Sequence, residues 1–432
     1  YTHFIEYNWK KNKNKIAVTA LLLLMSIPNF AQKITIQEAA EMAVKNNKDI
    51  KIGMLEVDRG QIDVSRTWKQ KFFTVSYNAS ANAYFKDIIS KKTGEAYQQY
   101  LSLSQPIYTG GKLKLGNEIS KDNLKLAELQ LDKTKKDTVL STVQAYIDVY
   151  DAISILGVLQ KSKEALDENY KIQTEKYKLR MVTKPEYREA ERSIKAIEAQ
   201  IVEQQGNIEI AKESLGILIG VSNPSSIEIV PFGVEDNFTK TIDLSKDMEK
   251  LTTQNTEYKI AQKQIDISRK NTKLEKSSFH PTINGTLSYG ALQSQGKLKN
   301  VFETKNLSSA AGVTFTWDIF DWGKRKEDVR YAQKTEEIAE VKSGQTLDQV
   351  RVNMKKTYYQ LQALEKSLKA LKVAVESAEE TYELEKERYS FNLITMNNLL
   401  DAEAKLRQSR VNYATSKLKY YYLVSQYGAF LD

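Results

Sequence analysis

The 432-residue sequence contains no cysteine, which excludes disulfides, thiol catalysis, thiolate metal sites and a lipid-modified amino-terminal cysteine together. Histidine is nearly as scarce. His3 and His280 are the only two, too few for a histidine-based active site. Six prolines and 18 glycines punctuate the whole chain, so long uninterrupted helices are expected. No basic stripe stands out either. The formal net charge of +9 becomes +6 once residues 1–31, with their four Lys and one Glu, are set aside, and the remaining charges are mixed as on a solvated helical surface, which argues against a nucleic-acid partner. No nucleophile and base, metal cluster or phosphate loop occurs at workable spacing, so the expectation is a protein that is not an enzyme and carries no cofactor.

What is present begins with Lys10, Lys11, Lys13 and Lys15, an apolar run from Ile16 to about Ile27, and Pro28-Asn29-Phe30-Ala31-Gln32. This is the layout of a secretory signal peptide, residues 1–31, cleaved after Ala31. The apolar run is shorter than the roughly 20 residues a bilayer-spanning helix needs.

The rest is written twice. Lys51, Ile52, Val57, Asp58, Thr74, Val75 and Ser80 match Lys259, Ile260, Ile265, Asp266, Thr282, Ile283 and Ser288 at a spacing of 208. Ile107, Gly111, Lys112, Tyr177, Thr183, Ala190 and Glu191 match Ile319, Gly323, Lys324, Tyr389, Thr395, Ala402 and Glu403 at a spacing of 212. A period this long lies far beyond solenoid repeats of roughly 20 to 50 residues, so each copy is a large unit. The expected plan is a first repeat over 32–222, a connecting segment over 223–247 and a second repeat over 248–432.

Each repeat opens with helical periodicity, over Ile36 to Phe72 in the first. A two-residue alternation follows: Val75, Tyr77, Ala79, Ala81, Ala83 and Phe85 against Ser76, Asn78, Ser80, Asn82 and Tyr84, the pattern of a strand with one apolar and one wet face. A second alternating stretch closes at Tyr108, giving a β-hairpin over about 74–108. Its counterpart spans about 282–320, where Ala311, Val313, Phe315, Trp317 and Ile319 alternate with Gly312, Thr314, Thr316 and Asp318. Such strands are long enough to cross a membrane when tilted, and Tyr108, Phe320 and Trp322 at their ends suit a headgroup girdle. Two strands per repeat make no stable sheet alone, so closure with other copies is required.

Long helices follow over 112–178 and 324–390, each about 100 Å at 1.5 Å per residue. Val139, Val143, Tyr146, Tyr150 and Ile153 form a coiled-coil seam within the first. Matched tip turns come next, over 179–186 with Met181, Val182 and Thr183, and over 391–398 with Leu393, Ile394 and Thr395. Thr183 and Thr395 are placed as amino-terminal caps of shorter return helices. Tyr84, Phe302 and Tyr420 to Tyr422 read as packing residues, and Asp318 as a solvated carboxylate. The segments Lys86 to Ala96 and Leu292 to Asn306 read as outward loops.

The Gly-Gly-Lys after the first hairpin, the run Trp317-Asp318-Ile319-Phe320-Asp321-Trp322-Gly323-Lys324-Arg325, the ending Leu215-x-x-Leu218-Ile219-Gly220 and the two tip turns resemble the TolC-like outer-membrane efflux and secretion channels. The likeness covers essentially the whole chain after the signal. It implies an α+β membrane fold in which tandem-duplicated helical hairpins and β-hairpins trimerise into a 12-stranded outer-membrane β-barrel continued by a periplasmic α-helical tunnel. It further implies a passive exit duct for a tripartite efflux or type I secretion system. The implied partners are two further copies, outer-membrane lipid, a periplasmic adaptor at the tips, and an inner-membrane pump of RND, ABC or MFS type. Energy then comes from the pump, which also sets the cargo.

The same likeness assigns a periplasmic gate. Tyr389 occupies the family's gate tyrosine position, whereas the gate arginine position holds Ile394. Of two aspartates that ring the closed entrance, Asp401 is retained and the other is Asn398, which implies one carboxylate ring, a candidate for holding a cation, and a weaker polar lock. A rival reading is a secreted or periplasmic coiled-coil scaffold without channel activity. The four phased strands ending in aromatics argue against it, because a scaffold has no need of them.

Overall fold

The computed structural model describes residues 32–84, 94–233 and 237–431; the expected signal peptide, Phe85 and most of the first outward loop lie outside them. The described chain holds strands β1 (Gln32–Ile34), β2 (Thr74–Tyr84), β3 (Gly94–Tyr108), β4 (Ile227–Ile229), β5 (Thr282–Gln295) and β6 (Ser308–Thr316). Its α-helices are α1 (Ile36–Asn46), α2 (Lys48–Lys69), α3 (Lys112–Lys178), α4 (Lys184–Ile219), α5 (Leu244–Gln254), α6 (Thr256–Lys276), α7 (Lys324–Ser390) and α8 (Met396–Gly428). The duplication is structural: α1, α2 and β2 recur as α5, α6 and β5, and α3 and α4 recur as α7 and α8.

Two sequence expectations need correction. The helical stretch from Ile36 is two helices, because Asn47 leaves the helical region (φ −63°, ψ 136°) while its N–H still caps onto Ala43. The fourth strand stops at Thr316, not near residue 320. Its hairpin partner β5 begins at Thr282, which pairs with Thr316, so Trp317 to Phe320 find no ladder among the described residues. In the first repeat the equivalent stretch stays extended to Tyr108 because β5 pairs with it there.

The chain divides into two compact units that cut across the repeats, since both long helices contribute to each. The first comprises the segments up to Asn47, Thr138–Asn237 and Gln362–Ser425. Here β1 and β4 pair in parallel over a core of Ile34, Ala39, Ala43, Tyr146, Val149, Leu215, Ile219 and Ile227. Each large aliphatic among them contributes about 1.5–3 kcal/mol by leaving water. Tyr146 is fully buried; its hydroxyl lies 2.8 Å from the carbonyls of Ile34 and Val230 and accepts from Val230 N at 2.9 Å. Thr35 and Glu38 form a reciprocal capping box at α1, and the donors of Thr35 hold the Glu38 carboxyl below its usual range. At the end of α4, Gly220 takes the left-handed conformation (φ 72°), and a side chain there would run into Asn46. Asn46 instead donates to Ile219 O at 3.0 Å. The helices lie in the order α4, α3, α8, α7, linked by Gln204 to Ala152 O (2.9 Å), Thr415 to Asp151 (2.8 Å) and Arg410 to Glu379.

The second unit comprises Lys48–Asp137, Phe238–Leu361 and the end of the chain from Gln426. Its antiparallel sheet has the order β2-β3-β5-β6. Its helices follow the order α2, α3, α6, α7. Gly53 and Gly60 let α2 approach Leu131 and Leu124 of α3, and Ser120 and Asn117 bond Asp63 and Val64 O, each at 2.9 Å. Between α3 and α6, Lys136 reaches Thr256 Oγ1 at 2.7 Å, and Asp122 meets Lys263 and Lys270 at 3.6 and 2.5 Å. Between α6 and α7, Gln262 bonds Ser343 and Thr272 bonds Glu336, both at 2.9 Å. Sheet and helix layer therefore each end in a first-repeat element on one edge and a second-repeat element on the other.

Candidate functional site

The sheet is phased across all four strands. One face aligns Val75 with Leu103 and Leu287, Tyr77 with Leu101 and Tyr289, and Ile283 with Phe315. The other aligns Ser76 with Ser102 and Ser288, Thr286 with Gly312, and Asn284 with Thr314. Both faces are uncovered over most of their height; only near the loop end is the apolar face covered, where Ala291 is buried and Gln99 donates to Val301 O at 3.0 Å. Val313 is 70% exposed, Tyr77 63% and Phe315 59%, levels that a water-soluble half-buried sheet does not sustain on its apolar side. On the polar face Asn78 bonds Ser102 and Asn284 bonds Ser104, each at 2.9 Å, so it is a hydrogen-bonded, wettable surface. The outer edges of β2 and β6 carry ladder groups that no strand among the described residues pairs.

A β-bulge decides where Tyr108 points. Pro106 opposes Asn284 on the polar face, but the register then slips and Tyr108 opposes Ile283 on the apolar face. Ile107 also leans that way, its Cδ1 lying over Gly285. Phe320 and Trp322 are among the most exposed side chains, at 73% and 92%, and stack edge to face 5.1 Å apart. Trp322 holds a left-handed backbone (φ 56°) at the turn into α7, whose first N–H groups are met by Asp321: Gly323 N at 3.1 Å and Arg325 N at 3.0 Å. The turn region carries further exposed aromatics that the strand-end reading passed over: Trp68, Phe72, Phe73, Phe279 and Trp317. Trp317 lies within the second alternating run, on its apolar phase, whereas the other four precede the alternating runs and so carry no phase signal of their own. Trp317 Nε1 donates to Phe279 O at 3.1 Å, and the Arg325 guanidinium lies 5.3 Å from the Phe279 ring centre.

At the tips, Arg180 (φ 59°) and Asn392 (φ 57°) turn the chain, and Met181 and Leu393 are bare, at 68% and 72% exposed. Thr183 forms a full capping box with Glu186. Thr395 behaves differently: with Asn398 in place of the glutamate, its hydroxyl is engaged by the Asn398 carboxamide oxygen. Val182 and Ile394 are half-buried, Ile394 against Met396 and Leu399.

Of the assigned gate residues, Tyr389 is tied to α3: Gln173 Nε2 donates to its hydroxyl, and Lys176 lies 5.4 Å from its ring centre. Burial raises the Tyr389 phenol above its ordinary value. Asp401 pairs with Lys405 one turn on at 2.6 Å, in an exposed position. Among the described residues no hydrogen bond or ion pair joins Tyr389, Asn398 and Asp401 to one another. Sequence reasoning missed the buried network nearby, in which Ser162 of α3 donates to Glu403 and Arg407 bonds both, at 3.0 and 3.1 Å. Glu191, the repeat counterpart of Glu403, pairs at the surface with Arg188, so the repeat match gave no sign of burial. No cluster of metal-ligating side chains occurs among the described residues.

Comparison with known proteins agrees with this geometry. The model of the family described as "Outer membrane efflux protein" matches residues 39–221 and 249–422. The outer membrane protein TolC of Escherichia coli is 23% identical over 300 residues, covering 67% of this chain and 59% of that protein. The Salmonella enteritidis protein of the same name is 23% identical over 335 residues, covering 76% and 66%. The chain thus spans less than two thirds of the length of either relative. In fold it is similar to the Campylobacter jejuni CmeC outer membrane channel (TM-score 0.78, 20% identity, 92% of this chain and 85% of that one). It is similar also to the Vibrio cholerae outer membrane protein VceC (TM-score 0.75, 16% identity, 92% and 96%). With the family model matching well over half of its length, the chain belongs to the outer membrane efflux protein family.

Proposed function

We propose that three copies of this chain close a 12-stranded barrel in the outer membrane and form a passive exit duct, fed by a periplasmic adaptor and an inner-membrane pump of a tripartite efflux or type I secretion system. The family to which the chain belongs is one of outer-membrane transport channels. The observation that carries the reading is the four-stranded sheet with two bare faces of opposite character and two open edges. An apolar face meets lipid, a Ser/Asn/Thr face meets water, and only closure with other copies satisfies the edges. A soluble scaffold would leave all three features unexplained. The chain then conducts and does not catalyse, and the pump, of RND, ABC or MFS type, supplies energy and selects the cargo.

Within this reading Tyr108, Phe320 and Trp322 sit at the headgroup level. The bare tips, with Met181, Val182, Thr183, Leu393, Ile394 and Thr395, receive the adaptor. Tyr389, Asn398 and Asp401 narrow the entrance. The test is to extract the protein from outer membranes, image it in detergent and record it in a planar bilayer. A long trimeric particle with stepwise conductance supports the duct; a nonconducting protein absent from the outer membrane overturns it. For the gate, unchanged cation selectivity in Asp401→Asn sinks the carboxylate-ring assignment.

A further inference from the structure

We infer that the connection between β5 and β6 is a contact with the outer leaflet: it lies back over the lipid-facing side of the sheet and offers three lysines to the phosphate groups of anionic lipid. The inference rests on the exit-duct reading above and adds the lipid chemistry that the rim of the barrel engages. Amino-acid order alone makes the segment from Leu292 to Asn306 an outward loop, with Phe302 as a packing residue. The structure shows neither. The segment forms two short 3-10 turns, Leu298–Phe302 and Thr304–Asn306. Asn306 Nδ2 ties them together by donating to Asn300 O at 2.7 Å, and Phe302 is 66% exposed.

Strand phase decides which face the turns cover. Gln99 lies two residues before Leu101 in β3 and opposes Ala79 and Ala291, so its side chain leaves on the apolar face. There it accepts from the Tyr77 hydroxyl at 2.8 Å and donates to Val301 O at 3.0 Å. One carboxamide thus finds both its partners between strand and loop, and Val301 and Ala291 are buried. The loop leaves the sheet at a bulge, where Gln99 opposes Ala291 but Tyr97 opposes Gln295, and Gln98 donates across it to Leu292 O at 2.6 Å. In the proposed barrel Leu287 is at the hydrocarbon midplane, and Ala291 comes four residues further along β5. At about 3.4 Å per residue and a tilt of about 40° this is roughly 10 Å of height, close to the upper limit of an apolar band about 25 Å tall. The turns therefore sit where acyl chains meet headgroups.

The side chains suit that depth. Leu298, 56% exposed, and Phe302 are bare apolar groups on a loop that already covers the lipid-facing wall, and the exposed Lys297, Lys299 and Lys305 lie beside them in the chain. Bare apolar groups next to lysines make a segment that lies in a membrane interface, with lysine stems along the acyl boundary and ammonium groups at the phosphates. Three Lys against the single acidic residue Glu303 leave the loop with a charge of +2. Glu303 engages Lys305 at 2.8 Å, whereas Lys297 and Lys299 form no ion pair among the described residues. Because the turns cover the apolar face, the anion they meet is one held in the lipid layer and not one dissolved in the lumen.

The chain has no cysteine, so one introduced thiol carries one label per copy. Phe302→Cys and Ser80→Cys, the second on the polar face opposite Gln98, are each made in the full chain and labelled with a nitroxide in phosphatidylcholine vesicles. Broadening by oxygen, relative to broadening by a water-soluble nickel chelate, is expected to be several-fold greater at the Phe302 position than at the Ser80 position. An equal or lower ratio at Phe302, in a protein that is trimeric by mass, overturns the inference and leaves the duct standing. A monomer that does not insert overturns the duct reading and this inference with it. For the headgroup, a fluorescent phosphatidic acid is titrated into the purified trimer in neutral detergent. Lys297→Ala and Lys299→Ala are each expected to weaken binding about fivefold, the share of one lysine near an anionic surface. Lys305→Ala is expected to do less, because Glu303 already engages that ammonium, and Lys297→Arg and Lys299→Arg are expected to retain binding. Unchanged binding when Lys297→Ala and Lys299→Ala are combined, or displacement of the lipid by equimolar inorganic phosphate, overturns the lipid assignment.

Discussion

Leu287 and Ser288 are neighbours in β5 whose side chains leave opposite faces of the sheet. Leu287 lies between Leu103 and Ala311, and Ser288 between Ser102 and Ala310. Both sit near the middle of the strand, which in the proposed trimeric barrel crosses the hydrocarbon midplane at that height. Leu287→Arg places a guanidinium in lipid at a cost of about 2–4 kcal/mol per strand, hence about 6–12 kcal/mol for three copies. Ser288→Arg places the same charge in the water-filled interior, where the corresponding penalty is absent. At 1.4 kcal/mol per factor of ten, Leu287→Arg is expected to abolish trimers in the outer-membrane fraction, while Ser288→Arg assembles and changes ion selectivity in planar bilayers. The assay is the amount of unheated trimer on denaturing gels of fractionated membranes. Equal loss from both variants, or normal assembly of Leu287→Arg, would refute the assignment of faces.

Tyr146→Phe removes the one hydroxyl proton that the carbonyls of Ile34 and Val230 share, and the oxygen that accepts from Val230 N, inside a buried core, a loss of about 1–3 kcal/mol; amide exchange across β1 and β4 should quicken by roughly ten- to a hundredfold, and unchanged exchange would contradict the bonding described. Burial raises the Asp151 carboxyl above 3.8, against the donation from Thr415, and the charge of Asp148 adds to the rise. The folded state then binds the extra proton between the ordinary and the raised value, so stability falls as pH rises through that window and the penalty is complete above it. Asp151→Asn should therefore stabilise the protein near neutral pH, with the difference vanishing below about pH 3.8; denaturant titrations at several pH values would show whether it does. Thr183→Ala removes the capping box at the first tip and should weaken the start of α4 by about 1 kcal/mol, visible as faster exchange at Glu186 and Tyr187 with trimer assembly unchanged. Gly220→Ala forces a Cβ into Asn46 at a left-handed position and should cost about 1 kcal/mol or more, read as a lower unfolding midpoint.

The duplication, the four strand alternations and the 67-residue helices were legible in the amino-acid order because they rest on periodicity, and a period of two or of 3.6 is written locally. The absence of cysteine and the scarcity of proline acted in the same way, by excluding classes of structure before any contact was known. The break at Asn47 was not legible, since it depends on one backbone angle in an otherwise helical run. Neither was the side on which Tyr108 emerges, which a bulge fixes, nor the early end of β6, which depends on where β5 begins. The partners of Tyr389 and Glu403 belong to the same class: Gln173 and Ser162 lie more than 200 positions away, and nothing local marks them. Sequence determined which elements exist and which faces are apolar. Only the tertiary structure decided which elements are neighbours and which edges stay open, because a contact between distant segments depends on how the chain packs and not on the order of residues in any one stretch.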